Sequence, residues 1–409
     1  MTHHPPLVAV TRLLDRPVDL VAFAGSDGVL FSRAGRGFAG RGVAVRVPRA
    51  GVAEALDAIG VDDPVERPGT GPVAVGALPF RPGGHAELVV PALLVGTDAQ
   101  GATWATTVAP AGATPDPVRE VEAALAGQAD QVRPAGPGGF EVRATRSPTE
   151  WMDAVAAAVS RIRAGHLEKV VLAREVVVTA DAPISVAAVL ARLARSYPDC
   201  FLYLVDGFCG ASPELLVSRA GDVVRAQPMA GTAPRSGEPE ADHRAAAALL
   251  ASPGYRHEHQ VTIDAVHDTL LRFSSYVDYE PEPSVVALAN VVHLATSVEG
   301  RLSHPPASVL ELVEALHPTP AVCGRPTDVA LQVIDDLEGF DRGRYAGAVG
   351  WVDARGNGEF AVSIRGAAID GVRAVVVGGN GIVADSDPAT ELVETRAKMQ
   401  AMLSSIVRP

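Results

Sequence analysis

Cysteine is nearly missing: Cys200, Cys209 and Cys323 are the only three in 409 residues. They are too few and too scattered for a disulfide framework or a CxxC metal site, so three reduced thiols in a cytoplasmic protein are expected. Positive charge is also scarce, with 35 Lys and Arg against 48 Asp and Glu and a net charge of −13 at pH 7. Nucleic-acid binders and polybasic membrane-surface proteins both depend on clustered cations, so this balance argues against either class. No apolar run approaches the ~20 residues of a membrane helix. The opening MTHHPPLVAV lacks a basic stretch before an apolar core, so no secretory signal is expected. There is no Walker A loop, no GxGxxG after a strand and no internal repeat, so no nucleotide cofactor is indicated.

What remains is a globular composition, 47% apolar and 20% charged, long enough for two or three domains or one large α/β unit. The first 130 or so residues read as short strands broken by Gly and Pro: Leu20–Phe23, Gly42–Val47, Pro72–Ala77, Glu87–Val95 and Trp104–Val108, with one helix near Asp116–Ala126. The turn-rich 133–139 stretch reads as a join. A helix then starts at Ser147, with Pro148 at its first position and Glu150 completing a capping box, and stops at Gly165. Strands are expected at Lys169–Val178, Phe201–Asp206, Leu215–Ser218, Val223–Gln227, Val291–Val298, Ala346–Asp353, Glu359–Ile369 and Arg373–Val377. Helices are expected at Ile184–Ser196, Ala241–Ala251, Arg256–Phe273, Ser308–Leu316, Thr327–Leu337 and Pro388–Ile406. The interleaving gives an α/β or α+β class with large sheets.

Several residues break the rule of their surroundings, which is where function tends to show. Lys169 opens an otherwise apolar strand on the face of Val171 and Ala173. It must reach water, pair, or act as a desolvated general base. Glu214 lies between a turn and an apolar strand, where a carboxyl is either solvated or has a raised pKa and donates a proton. On a helical wheel Glu258 falls within the arc of Val261, Ala265, Val266, Leu270 and Phe273, and an inward carboxylate needs a cation. The triplet His257-Glu-His259 hints at zinc, but residues two apart do not share a helix face. A hard ion such as Mg²⁺ suits a carboxylate better. Glu391, Glu394 and Lys398 form one stripe of a helix capped by Asp387. The stripe is either a solvated Glu394–Lys398 pair or further metal ligands with a Lys beyond to hold an anion. Arg365 stands among the small residues Ala361, Ser363 and Ala367, which leaves room for a carboxylate fork. The run Gly378-Gly-Asn-Gly-Ile382 is either a turn or an anion cradle. Two cations for carboxylates, three acids for a divalent metal, a base and an acid are what a Mg²⁺ enzyme acting on a small polycarboxylate would carry.

Residues 147–407 resemble the chorismate-utilising enzymes, most closely the isochorismate synthases. The resemblance rests on ordered stretches: Lys169-Val-Val-Leu, Gly210-Ala-Ser-Pro-Glu-Leu-Leu216, Pro228-Met-Ala-Gly-Thr232, Arg256-His-Glu-His259 and His293-Leu-Ala-Thr296. They continue with Leu316-His-Pro-Thr-Pro-Ala321, Phe340-Asp-Arg342, Tyr345-Ala-Gly-Ala-Val-Gly350, Ser363-Ile-Arg365, Gly379-Asn-Gly-Ile-Val383 and Glu391-Leu-Val-Glu-Thr-Arg-Ala-Lys398. The family implies one α/β domain with two facing antiparallel sheets surrounded by helices, residues 1–140 being a variable half. By the same resemblance Lys169 is the base that activates water at C2 of chorismate, and Glu214 protonates the departing C4 hydroxyl. Glu258 and Glu394 match Mg²⁺ ligands, with Glu391 in or beside that set. Tyr345, Arg365, Gly379, Gly381 and Lys398 match the grip on the substrate carboxylates, and Gly231, Thr232, His293 and Ala321 fall in the same substrate-binding set.

Within the family, anthranilate synthases carry Gln where Lys169 stands, and aminodeoxychorismate synthases a nucleophilic Lys where Ala230 stands. Salicylate synthases keep the base and are the alternative, and Ala321 resembles the isochorismate group. A non-catalytic metabolite-binding relative would need a broken acid–base pair. The expected activity is Mg²⁺-dependent isomerisation of chorismate, feeding menaquinone or siderophore and salicylate synthesis. No glutaminase subunit is expected, and without heptads or a long exposed apolar helix a monomer is expected. Tyr255, Asn380 and Cys323 depart from the family pattern.

Overall fold

The structure is a computed structural model that describes residues 6–129, 136–289 and 291–407. Among the described residues the strands form sheets of 13, nine and three strands. Pairing is antiparallel except where Val8–Val10 runs parallel to Gly60–Asp62. The two large sheets face each other across an aromatic core of Phe31, Phe38, Trp104, Phe201, Tyr203 and Trp351, and helices cover their outer faces. Among the described residues no helix is long and apolar enough to cross a membrane.

Strands of the first 130 residues are built into both large sheets. Val29–Arg33 pairs with Phe201–Val205 through Tyr203↔Phe31. Val73–Leu78 pairs with Ala348–Asp353 through Val75↔Trp351. Several expected elements differ. Leu20–Ala24 is a short helix, because the Asp19 carboxylate accepts the Ala22 N–H and caps it. Glu87–Val95 divides at Pro91, which lacks a donor, into strands of different sheets. Val291–Val298 and Glu359–Ile369 each divide in the same way between sheets. The glycine run is a strand and not a turn. Part of the 133–139 join lies outside the described residues.

The elements that build the site, in chain order, are helix α1 (Pro148–Arg163), strand β1 (Lys169–Ala180), β2 (Phe208–Ser212), β3 (Leu215–Ala220), β4 (Met229–Pro234) and helix α2 (Pro253–Leu271). They continue with β5 (Val291–Ala295), β6 (Gly358–Val362), β7 (Gly366–Asp370), β8 (Arg373–Ile382) and helix α3 (Pro388–Val407). The capping box at Ser147 forms as expected, and Asp387 caps α3 by accepting the Thr390 N–H at 2.8 Å. β2 and β7 belong to the largest sheet, β3 and β6 to the nine-stranded one, and β4 and β5 to the small one. The chain therefore crosses between the facing sheets twice side by side, at Glu214 and at Ser363–Arg365.

Candidate active site

A cavity of about 730 Å³, its mouth included, lies where these crossovers meet the small sheet, α2 and α3. Its lining includes Lys169, Glu214, Gly231, Thr232, Glu258, His293, Ala321, Tyr345, Arg365, Gly379, Gly381 and Lys398. Lys169 and Lys398, 229 positions apart, are thus brought to one cavity. Glu391 and Glu394 stand outside the lining.

Lys169 is buried and donates to Glu258 Oε1 at 2.6 Å. Of the options open to a Lys on an apolar strand, this structure shows pairing. Burial acts to raise the Glu258 pKa, but Lys169, aided by Lys398 and His259, outweighs it and the carboxyl ends below its ordinary value. The strand start is held from behind by a buried ion pair the sequence pattern did not suggest. Glu338 accepts the Ala173 N–H at 2.7 Å, and Arg342 donates to Glu338 at 2.8 Å and to the Val171 and Val322 carbonyls. The available signal was the i,i+4 spacing of Glu338 and Arg342 across the helix stop at Gly339.

Glu214 is 4% exposed. Burial pushes its pKa up to about 8, against the opposing pull of the Met229 N–H, Lys169 and Arg365. Arg365 adopts φ 55° at its crossover. Its carbonyl accepts the Ala211 N–H at 3.1 Å, which ties the bend to β2. Its Nη2 lies 3.2 Å from His293 Nε2. A guanidinium only donates, so His293 Nε2 accepts and Nδ1 carries the hydrogen toward the Gly231 carbonyl, 3.2 Å away. Burial, reinforced by Arg365 and Lys398, lowers the His293 pKa to about 3, which keeps the ring neutral.

β8 pairs with β7 only as far as Val376, so from Val377 onward that edge has no strand partner in the sheet. The glycines keep the backbone approachable from the cavity. A Cβ on Gly381 would lie 2.6 Å from Lys169 Cε and 3.2 Å from Glu258 Oε1. Tyr345 is buried and bonds the Gly379 backbone. Val171, Met229, Val322, Ile364 and Val377 supply apolar walls that were not anticipated. As hydrophobic residues they looked like ordinary core.

Lys398 pairs with Glu394 at 2.7 Å, and its Nζ lies 3.3 Å from the Gly379 carbonyl. Glu391 accepts from Ser386 Oγ at 2.8 Å and from Asn380 Nδ2 at 2.9 Å, so Asn380 has a positioning role. Burial raises the Glu391 pKa, and Glu394 raises it further. Glu258, Glu391 and Glu394 all act on Tyr255, which packs near Gly231. Among the described residues no three His, Cys, Asp or Glu converge as a ready metal cage. Glu391 and Glu394 repel each other beside the cavity, and hard oxygen donors of this kind suit a divalent cation. The three cysteines are buried; burial raises Cys200 and Cys323 to about 11 and Cys209 to about 12, so they stay thiols.

Two facing, largely antiparallel sheets with a cavity lined by Lys169, Glu214, Arg365 and Lys398 at their crossovers are the architecture of a small-metabolite enzyme. The profile of a family described as chorismate binding enzyme matches residues 47–407, so the chain belongs to that family and the match reaches well into the first half. It is 40% identical over 353 residues to a Mycobacterium tuberculosis protein, MenF, provisionally named an isochorismate synthase, covering 83% of this chain and 88% of that one. It is 39% identical over 278 residues to the isochorismate synthase DhbC of Bacillus subtilis, covering 65% and 70%. In fold it matches the menaquinone-specific isochorismate synthase MenF of Escherichia coli with a TM-score of 0.80 at 24% identity, covering 98% and 95%.

Proposed function

We propose that this protein is an isochorismate synthase, with Lys169 as general base and Glu214 as general acid. The observation that carries the proposal is that a buried Lys169 and a buried Glu214 line one cavity together with Arg365. Lys169, once it has lost its proton, takes one from a water that bonds to C2 of chorismate. The ring double bonds shift, the C4–O bond breaks, and the leaving hydroxyl takes the proton of Glu214. One water enters and one leaves, so the reaction is an isomerisation. Ammonia is not used and no glutaminase partner is required. Arg365, Tyr345, Lys398 and the Gly379–Gly381 backbone grip the carboxylates, and neutral His293 steadies Arg365. Glu258 and Glu394, with Glu391 beside them, would hold Mg²⁺, which supplies positive charge for the ring carboxylate. The product suits menaquinone or siderophore synthesis, and the chain is expected to work in the cytoplasm.

Incubating the purified protein with chorismate and Mg²⁺ should yield isochorismate, and Lys169→Ala should lose ~100-fold or more in rate. Full rate in Lys169→Ala removes the assigned base. Salicylate and pyruvate formed without an added lyase would instead make the protein a salicylate synthase.

A further inference from the structure

Arg174 stands in β1 between Leu172 and Val176, with side-chain parity opposite to the cavity-lining Lys169 and Val171. Leu172 and Val176 belong to different apolar clusters, so the guanidinium is sunk at the seam between them. Arg174 is 6% exposed. Its Nε and Nη1 are buried without a hydrogen-bond partner. Across the ladder it faces Gly378, where a Cβ would lie 2.6 Å from Met399 Cγ, so α3 lies directly over it. The charge acting on Arg174 is that of Arg396 on α3, a like charge. Among the described residues neither arginine has an ion pair, although buried cations are ordinarily paired.

We propose that this seam between β1 and α3 binds a small oxyanion, held by the forks of Arg174 and Arg396. Two guanidiniums on facing elements, one of them buried, need acceptor oxygens on both sides, and an anion with two or more oxygens supplies them. Arg396 lies between Glu394 and Lys398 in sequence, so the anion would clamp α3 to the sheet and fix the helix that carries both groups. Anion binding does not depend on the activity proposed above, and its test uses no turnover.

Thermal denaturation and titration calorimetry of the full-length protein with sodium sulfate should show stabilisation beyond that of sodium chloride at equal ionic strength. The cavity is itself an anion trap, so the effect should persist in Arg365→Gln. Arg396→Gln changes an exposed residue and should weaken sulfate binding about tenfold or more. Arg174→Met should do the same if it folds. Acetate run in parallel tells a tetrahedral anion from a carboxylate; a specific response to either, lost in Arg396→Gln, supports the site. No response beyond chloride, or parent-like affinity in Arg396→Gln, overturns it.

Discussion

Glu214 owes its proton at neutral pH to its place at a sheet crossover, where burial lifts its pKa to about 8. The direction fixes two pH effects. Below its ordinary value near 4.5 both folded and unfolded forms are protonated. Between that value and about 8 the unfolded chain ionises while the folded one does not, so this group makes stability fall as pH rises. Glu214→Gln should flatten that slope in urea denaturation measured from pH 5 to 9. Turnover should fall as pH rises through about 8, since the donor is then spent, and Glu214→Gln should lose that limb with most of the rate. An unchanged high-pH limb in the variant would assign the limb to another group. Lys169 and Glu258 teach a related lesson. Each was legible as out of place in a hydrophobic pattern, yet their 2.6 Å pairing across 89 residues was not, because a local pattern carries no information about which element packs opposite.

Among the elements, β8 shows most clearly what composition hides. Its glycines suggested a turn, but they continue a strand whose open edge borders the cavity. Gly381→Ala places a methyl group against the Lys169–Glu258 pair and leaves the strand intact. Turnover should drop about tenfold to 100-fold, as expected for displacing a reacting group by roughly 1 Å. Thermal stability should stay within about 2 °C, because the contact is with a flexible side-chain end. A collapse of stability with no specific loss of kcat would mean that the glycine serves the sheet and not the site. The helices were the most readable elements. Ser147, Ser185 and Ser308 each cap a helix, a choice settled within four residues. The strands Glu359–Ile369 and Val291–Val298 were read as continuous because no Pro or turn cluster interrupts either run, and only their pairing partners reveal the crossings between sheets.

In the whole molecule both large sheets mix strands from the two ends of the chain, which supports the single-domain proposal. Phe38 of the largest sheet and Trp351 of the nine-stranded sheet meet with centroids 4.7 Å apart. Phe38→Ala should cost about 3–5 kcal/mol. Denaturant unfolding followed by tryptophan fluorescence and by far-ultraviolet circular dichroism should still coincide in one transition. Two separated transitions, with only one shifted, would mean that the halves fold independently.

The sequence by itself determined the helix caps, the apolar faces, the surplus of negative charge and the set of chemically useful side chains. All of these depend on residue type and near neighbours. The tertiary structure alone decided that twelve of the expected residues line one cavity, that Glu391 is held by Asn380 outside it, and that Arg365 sits on a crossover bend. The physical reason is that desolvation, charge pairing and backbone access arise between elements far apart in the chain, and they exist only once the two sheets have closed on each other.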